Sequence, residues 1–79
     1  MKRIAVEYFA ILRERTGLDH ETLQTHTNTP ADLFAELQLR YDFPKMAGVK
    51  VAINDEFADW QCPLQDGDTV VFIPPVAGG

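Results

Sequence analysis

The run Val70-Val-Phe-Ile-Pro-Pro-Val-Ala-Gly-Gly79 constrains this chain more than any other stretch. Val70 to Ile73 is apolar at every position and rich in β-branched residues, so both of its faces need cover. Such a segment reads as a strand in the middle of a sheet. Pro74 and Pro75 follow at once; lacking backbone N–H donors, they end the ladder and favour a stiff, extended exit. From Pro75 to Gly79 an extended chain spans roughly 15 Å, at about 3.3–3.6 Å per residue. The expectation is a central strand with an extended tail, residues 74–79, that reaches beyond the folded body.

The end of that tail has a chemical reading. Glycine has no side chain, so Gly78-Gly79 can thread a narrow channel and present the terminal carboxylate to another protein's active site. An ionised carboxylate is a poor electrophile at neutral pH. Coupled to a nucleotide it becomes an acyl-adenylate, which a sulfur or nitrogen nucleophile can attack. A flexible end with no role is the alternative. Two terminal glycines arise by chance in only about 0.5% of chains at the usual glycine frequency, and here they follow directly on a strand and two prolines, so the chemical reading is preferred.

The remaining composition removes several functions. At 79 residues the chain is one domain, 1–79, with one small core. A formal net charge of −5 argues against nucleic acid, whose binding needs clustered Lys and Arg, and fits a basic protein partner. No apolar run is long enough for a membrane span, and Glu7 and Arg13 interrupt any signal-like segment after Met1-Lys2-Arg3; the expected location is the cytoplasm. Cys62 is the single cysteine, which excludes an internal disulfide and reads as a small buried apolar residue. His20 and His26 lack ligands at metal-binding spacing, so no metal site is expected. Nor does the sequence show a nucleophile–base pair or a phosphate loop, and the chain is not read as an enzyme by itself.

Along the chain, Lys2–Phe9 alternates as a strand, with Ile4, Val6 and Tyr8 on one face and Ala5, Glu7 and Phe9 on the other. Ala10–Thr16 forms a short helical turn that Gly17 can end in the left-handed conformation. Glu21–His26 is a short polar strand at an edge. Pro30–Tyr41 is the principal helix: Thr29 can cap it, Pro30 suits its first position, Asp32 favours the positive end of the dipole, and Leu33, Phe34, Leu37 and Tyr41 form its apolar stripe. Val49–Ile53 and Phe57–Trp60 make a hairpin around Asn54-Asp55-Glu56, and Asp66-Gly67-Asp68 turns into the last strand. This order predicts an α+β fold, a mixed sheet with one main helix across one face, in which the first and last strands pair in parallel at the centre. If Val70 and Phe72 face the helix, Val71 and Ile73 face away from it, together with Phe9.

These pieces resemble a known family. Phe9-Ala-Ile-Leu-Arg-Glu14 with Gly17, Val51-Ala-Ile-Asn54, Leu64-Gln-Asp-Gly-Asp68 and Val71-Phe-Ile-Pro-Pro-Val-Ala-Gly-Gly79 are similar to motifs of the small, sulfur-carrying subunits of molybdopterin synthase, which have the ubiquitin-like β-grasp fold. Residues Asp19 to Gly48 match only as a helical β-grasp segment, and Ile73 stands where the family often has Phe. The resemblance implies that an ATP-dependent adenylating enzyme activates the Gly79 carboxylate and that a sulfur-delivering protein then yields a Gly79 thiocarboxylate. Pro74, Pro75, Val76, Ala77 and Gly78 would thread the active site of the large catalytic subunit, where Gly79 gives sulfur to cyclic pyranopterin monophosphate. Phe9, Val71 and Ile73 would form the apolar patch that docks that subunit. No permanently bound cofactor is implied; ATP belongs to the activating step. Three other roles stay open: a sulfur carrier for thiazole synthesis or tRNA thiolation, a modifier joined to lysines through Gly79, and a passive β-grasp interaction module.

Overall fold

The computed structural model describes residues 1–75; the expectations on Val76, Ala77, Gly78 and Gly79 lie outside the described residues. The elements are β1 (Lys2–Tyr8), α1 (Ile11–Thr16), β2 (His20–Thr25), α2 (Pro30–Tyr41), β3 (Lys50–Ile53), β4 (Glu56–Phe57) and β5 (Thr69–Ile73). They form one mixed sheet in the order β2-β1-β5-β3-β4, with β1 and β5 parallel and every other pair antiparallel. The apolar strand is thus central, beside the first strand, with α2 across one face. This is the β-grasp arrangement.

Alternation sorts the side chains. Ile4, Val6, Tyr8, Val51, Val70 and Phe72 point to the inner face and are almost fully buried with Leu33 and Leu37 of α2. Phe34 packs on Phe72, with ring centroids 4.9 Å apart, which fixes the helix to the middle of the sheet. The ends of α2 are held by different means. Asp32 N–H donates to Thr29 Oγ1 over 3.2 Å at the start. Near the other end the hydroxyls of Tyr8 and Tyr41 both donate to Glu21 Oε2, at 2.5 and 2.6 Å, joining β1, β2 and α2 through one carboxylate.

Several expected boundaries move for local reasons. β1 stops at Tyr8 because Ala10, at φ 51° and ψ −125°, turns the chain sharply, so Phe9 lies just past the strand. β2 starts at His20 and ends before His26. The turn after β3 needs only Asn54 and Asp55, both at positive φ, so Glu56 already belongs to β4. The second arm does not reach Trp60: Ala58 N–H makes the last rung to the Val51 carbonyl, and Asp59 then accepts from the Gln61 N–H and turns the chain. Trp60 swings inward and stacks on Phe72. Cys62 is half-buried in that turn, not fully buried. Pro74 is buried, which roots the expected tail in the body, and its neighbour Pro75 is exposed beside Gly48.

Candidate functional site

The outer face of the sheet, opposite α2, carries the candidate residues. Registers set one row across it: Phe57 of β4, Ala52 of β3, Val71 of β5, Glu7 of β1 and His20 of β2. A neighbouring row pairs Ile73 with Lys50. Val71 and Ile73 are half-buried, alternating with the fully buried Val70 and Phe72, so both lie away from the helix as their sequence positions require. Phe9 remains 45% exposed and borders the same face, in a cleft that also contacts Ala5, Glu7 and Thr69. The three candidate docking residues therefore lie on one side of the molecule.

Phe57 is the residue that sequence reasoning missed. It is 75% exposed, and its register partner is Ala52, which places it in the same outer-face row as Val71 with Ala52 between them. Its signal was available: an aromatic immediately after a hairpin turn, on a strand too short to bury it. What the sequence did not show was the register that makes Phe57, Ala52, Val71 and Ile73 one apolar strip. Phe57 is the exposed end of this strip, while Val71 and Ile73 are half-buried.

The rim is polar and largely engaged. Arg13 Nη1 lies 3.5 Å from Asp19 Oδ1, and both residues line the cleft beside Phe9. At the start of β5 the two short motifs meet. Asn54 Nδ2 donates to Asp68 Oδ1 and Thr69 N–H donates to Asn54 Oδ1, both at 3.0 Å. The Arg3 N–H donates to Asp66 Oδ1, while the Gly67 N–H donates to the Arg3 carbonyl. The Asp66-Gly67-Asp68 turn is thus a clasp that holds β5 against β1 and β3. It sits at the start of β5, the end remote from Pro74.

Chemistry at the body of the protein is sparse. Among the described residues no three His, Cys, Asp or Glu side chains come together as a metal site, and no helix is long and apolar enough to cross a membrane. The titratable groups most displaced from their ordinary behaviour are Tyr8 and Tyr41, both pushed up, first by burial and then by the hydrogen bond to Glu21. They belong to the helix-side brace and not to the outer face. Beyond Pro74 the path leads to Gly78 and Gly79, outside the described residues.

Comparison with known proteins follows the same geometry. The chain is 35% identical to the molybdopterin synthase sulfur carrier subunit of Mycobacterium tuberculosis, over 100% of both chains. It is 34% identical to the subunit of the same name from Escherichia coli, covering 96% of this chain and 99% of that one. Among solved structures it is similar to a chain in the complex of subunits 1 and 2 of the molybdopterin-converting factor from Helicobacter pylori. The TM-score there is 0.67 at 28% identity, over 98% of this chain and 99% of that chain. The ThiS family model matches residues 6–79, from the middle of β1 through the two final glycines, and the chain belongs to the ThiS family.

Proposed function

We propose that this protein is the sulfur carrier subunit of a molybdopterin synthase, a non-catalytic partner of a large catalytic subunit. The observation that carries the reading is the match over whole chains to proteins named as such carriers, at 34% and 35% identity. In this reading an ATP-dependent adenylating enzyme joins the Gly79 carboxylate to AMP and releases pyrophosphate. Sulfide-level sulfur from a delivering protein then attacks the acyl carbon and expels AMP, leaving a Gly79 thiocarboxylate. The chemistry is assigned to the cytoplasm in this reading, and ATP belongs to the activating step rather than to the carrier.

The thiocarboxylate would next enter the large subunit and pass its sulfur to cyclic pyranopterin monophosphate. Residues 1–73 act as the handle, Pro74 as the buried root, and Pro75, Val76, Ala77 and Gly78 as the threaded segment. The apolar strip of Phe9, Val71, Ile73 and Phe57 docks the large subunit, with the tail leaving from its edge. Surface strips of this kind bind by excluding water, so a charge at their centre weakens association far more than folding.

The test is a binding and turnover experiment with the large molybdopterin synthase subunit of the same organism. Val71→Lys should weaken the complex at least about tenfold while leaving the unfolding midpoint nearly unchanged, as expected for a hot-spot residue at the centre of an interface. Wild-type carrier, once thiocarboxylated, should support conversion of cyclic pyranopterin monophosphate to molybdopterin. Equal binding by Val71→Lys would remove the docking role of the outer face, and no conversion with the wild type would remove the function.

A further inference from the structure

We infer that the partner docking on the outer face presents a cation, an arginine side chain, into the cleft beside Val71, and that Glu7 receives it; this rests on the docking role proposed above. Glu7 is the register partner of Val71 in the parallel β1–β5 pair, on the same face. Neighbouring strands of a sheet lie about 4.7–4.9 Å apart, so the two side chains rise side by side from the same face. A surface that covers Val71 closely must therefore also cover Glu7. Glu7 is half-buried as a residue, and among the described residues its side chain makes no ion pair and no hydrogen bond. Burying an ionised carboxylate without a partner is strongly unfavourable, so a tight complex has to supply the missing cation.

The surroundings narrow the choice. The cleft holds about 420 Å³ and is lined by Glu7, Phe9, Arg13, Asp19 and His20 among others. Arg13 pairs with Asp19 rather than with Glu7, and His20, although opposite Glu7 in the β1–β2 register, forms no ion pair with it. Glu7 is thus the carboxylate of the cleft that has no ion-pair partner among the described residues. The Phe9 ring walls the cleft and is partly exposed. A planar guanidinium can stack on such a ring and form two hydrogen bonds to a carboxylate together, which an ammonium does less well.

Lys50 shows why the demand falls on Glu7. It flanks Ile73 on the other side of β5, but it is exposed, and its four-carbon stem can keep the ammonium in water when the strip is covered. Glu7 is short and already half-buried. The outer face thus reads as an apolar strip with a fixed negative point on one flank, which sets the orientation of the partner as well as its charge. The net charge of −5 acts in the same sense at long range.

The experiment is titration of the purified full chain with the large molybdopterin synthase subunit of the same organism, at low and high salt, for wild type, Glu7→Gln, Glu7→Asp, Glu7→Lys and Val71→Lys. Glu7→Gln should weaken binding at least about tenfold at low salt and flatten its salt dependence, because it strands the partner's cation in the interface. Glu7→Lys should be weaker still, and Glu7→Asp should retain part of the affinity and the salt dependence. All should unfold at nearly the wild-type midpoint, since Glu7 braces nothing in the fold. If Val71→Lys breaks the complex while Glu7→Gln binds like wild type, the cation is refuted and the docking face stands. Failure of the wild type to bind, or full binding by Val71→Lys, refutes both. A structure of the complex with no cation within ion-pair reach of Glu7 would also overturn the inference.

Discussion

Glu21 shows how much one residue can organise. It lies on edge strand β2, yet its Oε2 accepts from Tyr8 of the central β1 and from Tyr41 at the end of α2. Both phenols are held above their ordinary value of 10.0, first by burial and then by this hydrogen bond. The sign follows from linkage: a proton held more tightly in the folded state than in the unfolded chain adds stability that is complete below pH about 10 and is lost above it. Denaturant unfolding should therefore show a midpoint that falls as pH rises past about 10, and the fall should be smaller in Tyr41→Phe. A midpoint that falls equally in the variant would assign the alkaline loss to other groups. Tyr8 and Tyr41 were legible as core from their spacing. Their shared carboxylate was not, because Glu21 reads as an ordinary polar residue of an edge strand.

Among the elements, α2 was legible to the residue because its signals are local: a cap, a proline at the first turn and a stripe at helical spacing. The strands were legible as segments but not in extent, because their ends depend on backbone geometry that side-chain type records poorly. Ala10 adopts a conformation usually left to glycine, and nothing in Phe9-Ala10-Ile11 announces it. The outer strip was half legible for the same reason. Alternation identified Val71 and Ile73 along β5 and put Glu7 on the face of Phe9 along β1, whereas Phe57 joined them, and Glu7 was set opposite Val71, only through cross-strand register. Gly67 tests the clasp that sets this register. At φ 92° it has no heavy atom near the position of an added Cβ, so Gly67→Ala brings strain without collision. The expected loss is about 1–2 kcal/mol, read as a lower denaturant midpoint with an unchanged slope. No loss would mean that the Asp66-Gly67-Asp68 turn is not held in this geometry.

At the scale of the whole molecule, the fold supplies a rigid handle and the function is proposed for the tail. One face of the sheet is closed by α2, and the other carries the strip and Glu7. Between them β5 runs from the clasp to Pro74, so a partner bound to the strip lies beside the root of the tail. An alanine added after Gly79 changes nothing in that handle, and surface changes remote from caps and core usually stay within about 0.5 kcal/mol. It does displace the reacting carboxylate, by about 3.5 Å, where misplacement by 1 Å can cost about a hundredfold. The measurement that tests the central claim is intact mass after incubation with ATP, the activating enzyme and a sulfur source, for wild type and for the chain extended by alanine. The wild type should gain the mass difference between sulfur and oxygen, located at Gly79 by fragmentation, and the extended chain should not. An unchanged wild-type mass, or an equal yield of thiocarboxylate on the added alanine, would contradict the account.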